Sequence, residues 1–179
     1  GVFLPSGLTT INTEGLDFEF PSTHGEQFDA FRNAAALFDP DANPQLIPIR
    51  LHDQPLVDRR GIGVPANCGV TYDLSALRNA GFKFTYFRGV AGLNLDSEFG
   101  LGNFELWALL DGVEEFRQRF DGEHSHSFIA LALEDHHYLT LAVTDANRDV
   151  SFDHAVLADA FLRDCTGRER VGQPRCRRL

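Results

Sequence analysis

From about Leu46 onward, short apolar runs alternate with polar turns. "LIPIRL" and "QPLV" flank His52-Asp53 like the arms of a hairpin. "GVTYDL" (69–74) and "FKFTYF" (82–87) alternate with period two, which predicts two strands and puts Phe82, Phe84 and Tyr86 on one face. "FELWALL" (104–110) meets "VEEFRQRF" (113–120) across Asp111-Gly112, a pair that tolerates the positive φ of a type I′ turn. "FIALAL" (128–133) and "YLTLAVTD" (138–145) add two more strands; in the second, Leu139, Leu141 and Val143 face one way, Thr140, Ala142 and Thr144 the other. Strands recur with no long helical period between them. The expectation is an all-β sandwich.

Residues 1–45 read differently. "LDFEFP" has the pattern of a short strand. Beyond it, Thr23 and Glu26 stand at capping-box spacing, and Phe28, Phe31 and Ala35 fall on one helical face that ends before Pro40. This predicts an amphipathic helix over 26–38. About three turns of helix are marginal alone in water, so the Phe face must dock, on this chain's own sandwich or on a partner protein. The organisation expected is an extension of short strand plus helix (1–45), a β-sandwich module (46–162) and an irregular Arg-rich tail (163–179).

Charge narrows the partners. The formal net charge of −10 repels a phosphate backbone and argues against nucleic acid. Residues 163–179 hold six Arg against Asp164 and Glu169, a local +4 on a body of −14. Such a tail suits peripheral contact with an anionic surface, a contact with another chain or with the body itself, or plain solvation. No apolar run approaches bilayer length. The chain has no Met and opens on Gly1, which reads as a processed or trimmed start with any targeting segment already removed. Cys165 and Cys176 bracket a ten-residue loop and are candidates for a disulfide in an oxidising compartment, leaving Cys68 as a small buried residue.

The stretches "PIRLHDQPLVDRRGIGVPANCGVTYDL", "LLDGVEEF", "LTLAVTD" and "DHAVLADAFL", in that order, resemble the NPCBM family of carbohydrate-binding modules and its neighbour, carbohydrate-binding module family 51. Gly61 and Gly63 match the first motif, Asp111 and Gly112 the hairpin, and Asp145, Asp153, His154, Ala155, Ala158 and Asp159 the closing segment. The likeness runs from about residue 46 to 162. It implies a galactose-binding-like jelly-roll β-sandwich, usually secreted, usually appended to a glycoside hydrolase, and often holding structural calcium. Two positions depart from the family pattern: Pro65 stands where His is common, and Leu157 where Trp is common.

Asp145, Asn147 and Asp149 alternate as hard oxygen ligands do in a calcium loop, with Asp153 close behind. An EF-hand would need Gly and Glu where Val150 and Val156 stand, so that motif is excluded. Two readings stay open: one calcium on Asp145, Asn147, Asp149 and Asp153, or the same side chains bonding local backbone N–H groups. Asp153 and His154 read first as a buried hydrogen-bonded pair, with a sugar contact through His154 as the second reading. His124, His126, His136 and His137 read as turn residues, not a zinc site. No nucleophile elbow, His-Glu-x-x-His or phosphate-cradling loop is present, and no carboxylate pair stands in a recognisable glycosidase context. The chain therefore reads as no enzyme and needs no cofactor.

Sugar modules use exposed rings and a few polar side chains that read hydroxyls. Candidate ligand contacts are His52, Asn67, Asn94, Asp96, His137 and His154, with the Gly-rich loop 89–103 as one wall. Trp107, mid-strand, reads as core. The function expected is a non-catalytic, extracytoplasmic (secreted or periplasmic) glycan-binding module. The alternative is an assembly subunit of a larger envelope or membrane-associated complex, using the 26–38 segment and the Arg-rich tail.

Overall fold

Two antiparallel sheets clasp one apolar core in a computed structural model that describes residues 1–24, 32–33, 50–51, 54–55, 61–93, 102–121, 126–148, 153–164 and 177–178. The first sheet has the order β1 (Val2–Phe3), β8 (Cys68–Asp73), β13 (Tyr138–Asp145), β10 (Phe104–Leu110) and β11 (Val113–Phe120). The second runs β12 (His126–Ala132), β9 (Tyr86–Leu93), β14 (His154–Asp164), β7 (Gly61–Pro65) and β4 (Arg32–Asn33), with β15 (Arg177–Arg178) also on β14. Two small hairpins, β2 (Leu8–Thr10) with β3 (Asp17–Glu19) and β5 (Arg50–Leu51) with β6 (Gln54–Pro55), lie outside these sheets.

Period-two alternation builds the core as expected. Leu139, Leu141 and Val143 point inward from the first sheet and meet Phe87, Ala91, Leu93, Ala155 and Leu157 from the second. The opposite face of β13 is buried too, because residues 1–24 lie over it. Ile11 and Phe20 pack there on Trp107, Leu109 and Ala142, with Phe3, Leu16 and Phe18 around them. Trp107 meets Phe18 and Phe20 edge-on, donates from Nε1 to Thr144 Oγ1 at 2.9 Å, and carries Arg117 over its ring at 4.0 Å. Each edge-on aromatic pair is worth roughly 0.5–1.5 kcal/mol beyond burial, so this second core holds the N-terminal segment firmly.

The turns follow their sequence signals. Asp111 (φ 50) and Gly112 (φ 80) both occupy the left-handed region that a type I′ hairpin requires. The hairpin around residues 52–53 is present as Arg50 opposite Pro55 and Leu51 opposite Gln54.

Three expectations are corrected. "FKFTYF" is not one strand: β9 starts only at Tyr86, Phe82 is 54% exposed and Phe84 is buried. The chain instead turns through α1 (Leu74–Asn79), where Asp73 accepts the Ala76 N–H as N-cap. Gly81 (φ 95) closes it, with Gly81 N–H on Arg78 O and Phe82 N–H on Leu77 O. That Schellman closure ends the helix and sends Phe82 outward. Secondly, Arg32 and Asn33 are strand, not helix, paired with Gly63 and Ile62; β7 would otherwise be a bare edge, and its ladder outweighs a few tenths of a kcal/mol of helix propensity. The rest of 26–38 lies outside the described residues. Thirdly, the Arg-rich tail is not irregular throughout, since Arg177 and Arg178 pair with Asp164 and Arg163. Cys68 is buried, as expected, while Cys165 and Cys176 lie outside the described residues. Among the described residues no helix is long and apolar enough to cross a membrane.

Candidate functional site

The strand register gathers several candidates at one end of the sandwich. There β7 passes into β8 through Ala66-Asn67, β13 leaves at Asp145, β10 enters after Asn103, and β14 enters at His154 opposite Pro65. Leu93, the last residue of β9 before the Gly-rich loop, pairs with Ala155 at the same end.

A buried polar knot ties these segments together. Asn67 is fully buried and both ends of its amide are used: Oδ1 accepts the Asp145 N–H at 2.7 Å and Nδ2 donates to His24 O at 2.9 Å. The Asp145 side chain, only 2% exposed, accepts the His24 N–H on Oδ1 at 2.9 Å and keeps Oδ2 3.5 Å from His24 Nδ1. Asp153, 1% exposed, accepts the Asn103 N–H on Oδ1, and its carbonyl accepts the Ala66 N–H at 2.9 Å. A buried carboxylate stripped of water would cost several kcal/mol without such donors. Asn67 thus braces this end of the sandwich from within rather than facing solvent.

The surface of the same end carries Asn147 and His154, both exposed. The expected buried Asp153–His154 pair is corrected: strand alternation sends Asp153 inward and His154 out. His137 is at the other end, where its Nδ1 lies 2.9 Å from Ser75 Oγ. His52, Asn94, Asp96 and Asp149 lie outside the described residues. Of the predicted ligand contacts, then, the fold brings Asn67 and His154 together and separates His137 from both.

Asp145 and Asp153 each give an oxygen to a backbone N–H, and Asn147 stands exposed in the following turn. Among the described residues no three His, Cys, Asp or Glu side chains stand close enough to share a metal ion. The described members do not by themselves form a calcium cage.

At the far end, Asp111 accepts N–H groups from His137 and Tyr138 and lies 2.8 Å from His136 Nδ1. Burial pushes its carboxyl up, but the His136 bond and the two backbone donors together outweigh that and hold it below the usual range. Tyr138 is pushed up to about 12, chiefly by its hydrogen bond to Glu14. Burial raises Tyr72.

Sequence reading missed His24 and Asn103 as partners of the two aspartates. They are 121 and 50 residues away in sequence, and no local signal marks them. Leu157, where the family pattern has Trp, is fully buried in the core, and Pro65 is buried as well.

The NPCBM/NEW2 domain model matches residues 27–163. Among solved structures, the chain is similar to the CBM51 of Clostridium perfringens GH95 in complex with methyl-galactose, at 20% identity and TM-score 0.59, covering 77% of this chain and 89% of that one. It is also similar to the Clostridium perfringens ZmpB structure containing the M60 catalytic domain with CBM51-1 and CBM51-2, at 23% identity and TM-score 0.58, covering 78% of this chain and 14% of that one. A third is the tandem CBM51 pair of Sp3GH98, the family 98 glycoside hydrolase from Streptococcus pneumoniae SP3-BS71, at 16% identity and TM-score 0.56, covering 77% of this chain and 42% of that one. No curated protein matches the chain.

Proposed function

The chain belongs to the NPCBM/NEW2 domain family and has the galactose-binding-like sandwich of CBM51 modules, and from that premise we propose that it is a non-catalytic carbohydrate-recognition module working outside the cytoplasm. The observation that carries the reading is the reach of the likeness, which runs from β4 through both sheets to β14. A similar CBM51 module was solved with methyl-galactose and another with GlcNAc, so a neutral hexose is the ligand class put forward. The buried carboxylates support a binding rather than a hydrolytic role, since Asp145 and Asp153 hold backbone donors instead of facing a substrate. Attachment of similar modules to large enzymes supports a place outside the cytoplasm, where glycans are met.

The polar surface at the Asn67 end, with His154 exposed above the buried knot, is the place proposed for the sugar. Calorimetric titration with methyl-galactose and with GlcNAc tests it. Binding at millimolar strength or better, weakened by His154→Ala and unaccompanied by sugar hydrolysis, is expected. Silence toward both sugars and across a neutral glycan array removes the proposal.

A further inference from the structure

The outer face of the six-stranded sheet is covered at its centre, where Leu51 packs on Val90, Val156 and Ala158. Toward the β12 edge it is open. Phe128 is 57% exposed, and Ala130 and Ala132 are exposed beside it.

Register fixes what stands on this strip. Phe87 and Ala91 face the core and Val90 faces Leu51, so Arg88 projects from the outer face. Its neighbours across the ladder are Ala130 on β12 and Phe161 on β14. The Arg88 guanidinium carbon sits 5.2 Å from the centre of the Phe128 ring. Arg163, opposite Tyr86, repeats the arrangement with its guanidinium 4.2 Å from the Phe161 ring. Among the described residues neither guanidinium meets a carboxylate, and the buried Nε of Arg163 has no acceptor. The backbone of Arg178 lies opposite Arg163.

Two ring-supported cations without acid partners among the described residues, on a chain of net charge −10, suit a specific anion. A pyranose carrying a carboxylate supplies both halves of the match. Its C–H face stacks on a phenyl ring, and its carboxylate takes paired N–H bonds from a planar guanidinium. The acidic body does not forbid this, because repulsion from charges beyond about 8 Å is screened at physiological salt.

We propose that Arg88 and Arg163, with Phe128 and Phe161, bind an acidic sugar residue, a uronate or a sialate, on the outer sheet face, apart from the neutral-sugar end. The proposal rests on the carbohydrate-recognition reading and adds a second point of contact on a longer glycan.

The test is calorimetric titration of the full chain with digalacturonate, sialyllactose and methyl-galactose, repeated on Arg88→Gln and on Phe128→Ala. Both side chains project from the sheet's outer face, so both variants are expected to keep the fold, checked by circular dichroism. At least one acidic ligand binds, each variant weakens it by about tenfold or more through loss of a charge-assisted contact or of the stacking ring, and methyl-galactose binding is unchanged. Digalacturonate alone identifies a uronate, sialyllactose alone a sialate. Acidic ligands that bind both variants as tightly as the native chain overturn the proposal, as does methyl-galactose binding with neither acidic ligand bound. Failure of all three ligands also overturns it, and silence toward GlcNAc and the neutral glycan array besides removes the carbohydrate reading as well.

Discussion

Asp111 Oδ2 lies 2.8 Å from His136 Nδ1 while Oδ1 of the same carboxylate accepts the N–H groups of His137 and Tyr138. One turn residue therefore joins the β10–β11 hairpin to the start of β13.

That contact sets a pH dependence. The Asp111 carboxyl is lowered in the folded chain, so its contribution is complete above the ordinary value of 3.8 and is lost as pH falls through the lowered one. Asp111→Asn keeps the left-handed turn and an acceptor oxygen but removes the titrating charge. Urea unfolding is expected to show the native chain ahead by no more than about 1 kcal/mol near neutrality, since the side chain is a third exposed. The lead should shrink steadily below the ordinary carboxylate range. A lead that grows on acidification would contradict the assignment.

Asn67 should behave as a brace. Removing its amide leaves the buried Asp145 N–H and the half-buried His24 carbonyl without their partner. Asn67→Ala is expected to cost about 2–3 kcal/mol by denaturant unfolding, one buried group alone being worth roughly 1–3. Amide exchange at Asp145 should quicken in the same variant. The cost is expected to be equal in calcium and in chelator, because the lost partners are backbone groups.

Gly69 makes a third case. It faces Phe3 across the β1–β8 pair, and a Cβ there would run into the Phe3 ring. The ring belongs to a two-residue edge strand and can move more cheaply than the sheet beneath it. Gly69→Ala should therefore loosen β1 while leaving the two-sheet core intact. Limited proteolysis ought to cut the first residues faster, with the main unfolding transition shifted only slightly.

The local signals in the chain were read well and the distant ones were not. Asp111-Gly112 fixed its hairpin because both residues can adopt positive φ without outside help. The alternation of β13 named the core face correctly, but nothing near it announced that residues 1–24 would bury Ala142 and Thr144 on the other side. At α1 two local codes competed. The Asp73 cap and the Gly81 closure make a short helix, whereas the aromatic alternation of Phe82, Phe84 and Tyr86 suggests a strand. Polarity alone groups His137 with Asn67 as ligand contacts, because it carries no strand order. Their separation follows from topology, with Asn67 before β8 and His137 level with its far end.

The segment laid over Trp107 has a practical bearing on where this protein can be cut. A fragment trimmed to the start of the family match at residue 27 would strip the lid from Trp107, Leu109 and Ala142. That bared greasy slab invites self-association, so the shortened version should clump where the intact chain stays dispersed.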